Sequence, residues 1–249
     1  MKHHLLGMAL LAISASAWSL SCTPTPAFTL KHTGNVYADS VFWLQSSVPE
    51  SQAPISVADV QLQQDGKTVA ALQAYPQKIS GYTGMQVHPQ LQAGGAYQVM
   101  LKDTSRDVYS GLSTLANRFT VETKTVTSPD LAWRKPPTLM KVGHNSGPWG
   151  DSGNVLWSLQ TTRPLQDYLV VIQLAAKPDM ANAKTFIVNP VSLQGLDVVG
   201  VSFGPCQYGP EAYVFRKNST VWARFDLLSH DGKLIPWQGK PQKNRLRPH

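Results

Sequence analysis

From residue 40 onward the chain is cut into short pieces. Runs of four to nine residues rich in Val, Thr, Tyr, Phe and Trp alternate apolar with polar positions, then stop at Gly, Pro, Asn or Asp before a helical period can establish itself. The clearest case is the run over residues 55–63, which leads to Asp65-Gly66 and is followed by a second alternating run over 67–72. Asp-Gly between two such runs signals a two-residue hairpin turn, because both turn positions must accept positive φ. Further strand candidates fall at 40–45, 96–102, 118–123, 155–159, 168–174, 184–188, 198–203, 211–216 and 220–228. Only 107–116 reads as a short helical turn, and Gly111 weakens it. Many short strands without long helical periods indicate sandwiches or small barrels, so the expectation is an all-β chain.

The 249 residues give room for one large domain or two of about 100 residues, each with its own core. Ser128-Pro129 and Pro136-Pro137 mark an extended, semi-rigid linker over 124–137, within which Trp133 is placed to dock into a seam between domains. The expected division is therefore a β-sandwich over 22–123, the linker, a second β-sandwich over 138–239, and a basic tail over 240–249. In the first of these, Leu91-Gln92-Ala93-Gly94-Gly95-Ala96-Tyr97 has Leu six places and Gly three places before a Tyr that opens an alternating strand. It resembles the tyrosine corner of fibronectin type III and bacterial immunoglobulin-like domains over about residues 27–123. The resemblance implies an immunoglobulin-like β-sandwich there, and the β-rich texture of the second half, without a clear second corner, extends the expectation to two consecutive immunoglobulin-like β-sandwich domains. The resemblance also implies that the Tyr97 hydroxyl bonds back to the backbone of the preceding turn. It implies no activity, since such sandwiches host many functions.

The start of the chain reads as an address. Met1-Lys2-His3-His4 is a short basic segment, residues 5–13 are apolar, and Ala15-Ser16-Ala17 is the small-x-small pattern of a signal-peptidase site. Nine apolar residues are too few to span a hydrocarbon core about 30 Å thick, and no later stretch is long enough for a transmembrane helix. The expectation is a cleaved signal peptide over 1–17 and an exported chain. Cys22 leaves two alternatives open. Trp18-Ser19-Leu20-Ser21-Cys22 resembles, imperfectly, the lipobox of bacterial lipoproteins, which would set the cut after residue 21 and lipidate Cys22. With the cut after Ala17, Cys22 stays in the chain and can pair with Cys206, the only other cysteine. The protein is expected in the periplasm, at the outer membrane as a lipoprotein, or secreted.

The constellations that carry chemistry fare poorly. Gly150-Asp151-Ser152-Gly153 resembles the nucleophile segment of chymotrypsin-like serine proteases. That chemistry needs an upstream His and Asp in defined context, and His32 and His88 lack it. The four residues are read instead as a loop. His32, His88, His144, His230 and His249 stand far apart, with no metal-ligand spacing, and Asn218-Ser219-Thr220 reads as a turn. No cofactor and no catalytic residue are expected. The remaining signal is charge. With 22 Lys+Arg against 15 Asp+Glu, the net charge is +7. Lys240, Lys243, Arg245 and Arg247 crowd the C-terminus near Trp237. Such a tail is expected to be disordered, and either simply solvated and aiding solubility or drawn to anionic lipid or glycan, with Trp149, between Pro148 and Gly150, placed for ligand stacking. Nucleic acid is not an expected partner of an exported chain.

Together these features describe a non-enzymatic exported envelope protein acting as a binding or assembly module. Two alternatives stand beside it: a periplasmic pilus-type chaperone, and a serine hydrolase using Ser152. Residues 168–171 and 186–190 are similar to strands of the chaperone family's first domain but lie in the second half of this chain.

Overall fold

The structure, a computed structural model, describes residues 28–46, 56–88, 90–102, 118–124, 130–147, 150–204, 213, 215 and 218–246. The signal segment, Cys22, Trp149, Cys206, Arg247 and the turn candidate at 107–116 lie outside the described residues. The described residues are almost wholly β, paired into the layers of a β-sandwich architecture. Among the described residues no helix is long and apolar enough to cross a membrane.

The first half contains β1 (Phe28–Lys31), β2 (Val41–Ser46), β3 (Val60–Gln64), β4 (Lys67–Ala74), β5 (Tyr82–His88), β6 (Ala96–Leu101) and β7 (Arg118–Thr120). They join in the order β1-β2-β5-β4-β3-β6-β7. Strand β4 belongs to both layers: up to Ala70 it pairs with β3, and from Ala71 onward with β5. The hairpin between β3 and β4 turns at Asp65 (φ 50°) and Gly66 (φ 73°), both in the left-handed region that the Asp-Gly signal demands. Phe42, Leu44, Leu62, Met85, Tyr97 and Val99 fill the space between the layers. Tyr97 does what its motif implies: its hydroxyl accepts the backbone N–H of Gln92 at 3.1 Å. A side chain at Gly95 would place its Cβ 2.6 Å from the Tyr97 ring, so only glycine lets the turn lie flat on the tyrosine.

The second half contains β8 (Trp133–Gly147), β9 (Gly150–Thr161), β10 (Tyr168–Ala175), β11 (Lys184–Val188), β12 (Val191–Leu193), β13 (Leu196–Phe203), β14 (Thr220–Ser229), β15 (Leu234–Pro236) and β16 (Gln242–Arg245). One sheet runs β12-β13-β9-β8, the other β11-β10-β14-β15, with β16 also on β14. Trp157, Tyr168, Ile172, Val199 and Phe225 pack between them, with the rings of Trp157 and Phe225 edge-on at 5.3 Å.

Three expectations change here. Trp133 to Pro137 are extended, as the proline pair requires, but they open strand β8 instead of linking domains. Trp133 packs on the second half's core and edge-on against Trp237 at 5.9 Å, not in a seam. Gly150 to Gly153 belong to β9 and are not a loop. The tail expected to be disordered contains β16, whose Asn244 is buried, as is Leu246 immediately after it. Trp157 Nε1 donates to Asn244 Oδ1 at 3.3 Å, and Leu246 is 1% exposed. A buried indole donor and an apolar slot therefore hold a segment whose prolines and charges read as solvated.

A third core joins the halves. Val41, Trp43, Ile79 and Tyr82 from the first pack against Leu169, Val171, Ile187 and Leu228 from the second. Strands β2 and β10 are consequently apolar on both faces, and β14 joins them at Leu228: Phe42 and Leu44 face their own core while Val41 and Trp43 face the other half. The backbone is tied across the seam as well. Val41 N–H donates to His230 O at 2.7 Å, Asn35 N–H to Gln166 O at 2.9 Å, and Ile187 N–H to the Tyr82 hydroxyl at 2.9 Å. Buried Asp167 accepts from Asn35 Nδ2 at 2.8 Å and from the Tyr37 hydroxyl at 2.7 Å, with Arg163 Nη2 at 3.1 Å. Burial, reinforced by the Asp167 carboxylate, pushes the Tyr37 hydroxyl up to about 12, so it remains a donor.

Candidate binding face

Alternation along β14 decides what faces outward. Val221, Ala223, Phe225 and Leu227 enter the core, which turns Trp222, Arg224 and Asp226 to the outer face of the sheet. On β16, buried Asn244 likewise turns Lys243 and Arg245 outward. The register then sets Trp222 opposite Lys243 and Thr220 opposite Arg245. On the other side of β14, Trp222 stands opposite Ala175 and Arg224 opposite Gln173. Directly opposed side chains in antiparallel strands have Cβ atoms about 5 Å apart. A half-buried indole is thus flanked by a lysine, with Arg245 two residues along β16 and Arg224 two residues along β14 itself.

Among the described residues neither Lys243 nor Arg245 is ion-paired. Arg224 Nε lies 3.7 Å from Asp226 Oδ1. Asp226 is buried at the end of this face nearest the seam. Burial raises its pKa, against the opposing pull of Arg224 and of the Trp237 backbone N–H. The face therefore carries its positive charge at the end away from the first half, around Trp222.

Of the residues expected to contact a ligand, Lys243 and Arg245 are brought together here. Lys240 is exposed in the turn before β16. Trp237 lies apart, half-buried against Trp133, with its N–H donating to Phe225 O at 3.2 Å. Trp149, Arg247, Cys22 and Cys206 lie outside the described residues. Trp222 and Arg224 were not singled out from sequence. The signal was present: three residues of β14 in a row alternate Val221, Trp222, Ala223, which places the indole opposite the core-facing side.

Ser152 is opposite Asn145, whereas His144 is opposite Gly153. Adjacent residues on a strand point to opposite faces, so Ser152 and His144 are on different sides of the sheet. His144 Nε2 instead approaches Asp151 Oδ2 at 3.9 Å. Among the described residues no group of three or more His, Cys, Asp or Glu is placed to hold a metal ion.

No known family matches the chain, and no curated protein matches its sequence. Solved structures similar to it include the type I pullulanase of Bacillus subtilis str. 168 complexed with maltose, at 10% identity and a TM-score of 0.22. That match covers 84% of this chain and 24% of the pullulanase. The FN1–FN3 domains of chicken CNTN1 match at 8% identity and a TM-score of 0.26, over 90% of this chain and 66% of that one. Domains of titin match at 14% identity and a TM-score of 0.23, over 88% and 66%. The chain's assignment to the sandwich class rests on its own strand pairing.

Proposed function

We infer that the protein is a non-enzymatic, exported binding or assembly module, built of two consecutive immunoglobulin-like sandwiches, which engages anionic surfaces through the outer face of β14 and β16. The observation that carries the reading is the register pairing of Trp222 with Lys243 and of Thr220 with Arg245, with Arg224 alongside. Cations around an accessible indole suit a ligand with negative groups spaced along an amphipathic surface. The two-domain reading is supported by strand order. Taken in chain order, both halves distribute their strands between layers as in immunoglobulin domains: first, second, and fifth beside the fourth in one layer, and third, sixth and seventh in the other. For the second half this takes β11 and β12 as one split fourth strand. Export is supported by the apolar run at 5–13 and the Ala15-Ser16-Ala17 site.

The ligand chemistry, a surface of repeated negative charge, can come from phospholipid headgroups or from an acidic polysaccharide. Co-sedimentation with phosphatidylglycerol vesicles and calorimetric titration with alginate separate the two sources. Binding should weaken as salt rises. The charge reversals Lys243→Glu and Arg245→Glu together should cost at least about 2 kcal/mol, roughly thirtyfold in affinity. Binding to neither probe, or binding untouched by the double reversal, contradicts the reading.

A further inference from the structure

The first half carries a different surface on the outer side of its β4-β3-β6-β7 layer. Register sets Thr68 opposite Gln63, Gln63 opposite Gln98, and Gln98 opposite Arg118, which forms one transverse row across all four strands. The flanking positions Leu62, Val99, Tyr97 and Phe119 turn inward to the core, so the row itself must face out. At strand spacings near 4.8 Å the row is about 14 Å long.

The residues at its two ends are each held by a hydrogen bond. Arg118 Nε donates to Gln98 Oε1 at 3.1 Å, and Thr68 Oγ1 donates to Gln61 Oε1 at 3.0 Å. The row borders a cleft of about 600 Å³, lined by Gln63, Gln98, Arg118, Thr120 and the Asp65-Gly66 turn together with the apolar Ala96 and the aromatic Tyr97 and Phe119. One guanidinium and one carboxylate are the charged groups lining it, so the cleft has no net charge. The other polar groups are amides and hydroxyls, which both donate and accept.

We propose that this cleft binds a neutral oligosaccharide laid across β3, β6 and β7. A sugar chain presents pairs of neighbouring hydroxyls, each a donor and an acceptor, at intervals comparable to the spacing of strands. A row of amides with a fixed guanidinium answers that pattern, while the absence of net charge removes any advantage for acidic chains. Because Arg118 and Gln98 are already ordered by their mutual bond, little side-chain freedom is lost at that end of the row when the ligand arrives. The site is separate from the β14–β16 face and does not depend on it.

The test is calorimetric titration of the full chain with cellohexaose, maltohexaose and chitohexaose, at low and high salt. At least one should bind, with an affinity unchanged by salt. Gln98→Ala and Arg118→Ala should each weaken that binding about tenfold, since each removes a hydrogen-bonding partner worth roughly 1.4 kcal/mol. Gln63→Ala, an outward-facing truncation, should weaken it similarly without lowering the thermal midpoint. Binding of none of the three sugars overturns the proposal. So does sugar binding that survives all three substitutions, or that collapses with salt.

Discussion

Asp167 is the common acceptor for Asn35, Tyr37 and Arg163, three groups drawn from both halves. Removing it in Asp167→Ala leaves a buried hydroxyl, an amide and a guanidinium without their partner, and should destabilise the chain by about 3–5 kcal/mol in denaturant unfolding. Asp226 behaves in the opposite sense. Its folded-state pKa is raised chiefly by burial, so between the ordinary carboxylate range and that raised value the folded state binds more protons than the unfolded state. Its contribution to stability is therefore greatest at acid pH and declines as pH rises through the raised value. Asp226→Asn keeps the acceptor and abolishes the charge. It should raise the melting temperature at neutral pH, with little gain near pH 4, and thermal melts across that range measure the difference.

At the scale of strands, β16 is a structural element and not an appendage. Asn244→Ala strips the buried Trp157 indole of its acceptor and should cost about 1–3 kcal/mol, read from the denaturation midpoint. Ending the chain before Gln242 should destabilise it further, because the edge of β14 and the slot of Leu246 are then opened. Full stability in such a truncated chain would contradict this placement. Much of the strand inventory was legible because its signals are local. Asp65-Gly66 specifies its turn chemically, and the alternation at 184–188 coincides with β11 residue for residue. The rest depended on partners distant in sequence. Arg134-Lys135-Pro136-Pro137 reads as a linker, yet these residues form the bulged edge of a hairpin with β9, where missing N–H donors are tolerated. Lys243 and Arg245 were visible as charges, but only pairing with β14 shows that they share a face with Trp222.

Across the whole molecule, the seam makes the two halves depend on one another. Val41 to Leu44 and Tyr168 to Leu174 are nearly unbroken apolar runs, the pattern of strands covered on both faces, and the second cover in each case is the other half. Trp43 is fully buried there. Trp43→Ala should cost about 3–5 kcal/mol, and with Leu228→Ala it should split a single unfolding transition into two, followed by tryptophan fluorescence and far-ultraviolet dichroism together. Two transitions already present in the unaltered protein would argue against a shared core. The functional account rests on which indole meets the ligand. The most direct measurement follows the indole N–H resonances of the ¹⁵N-labelled protein as phosphatidylglycerol vesicles or alginate are added. The account expects the Trp222 resonance to shift or broaden while those of buried Trp43 and Trp157 stay fixed. Perturbation at Trp149 or Trp237 with Trp222 unmoved would place binding elsewhere and contradict it.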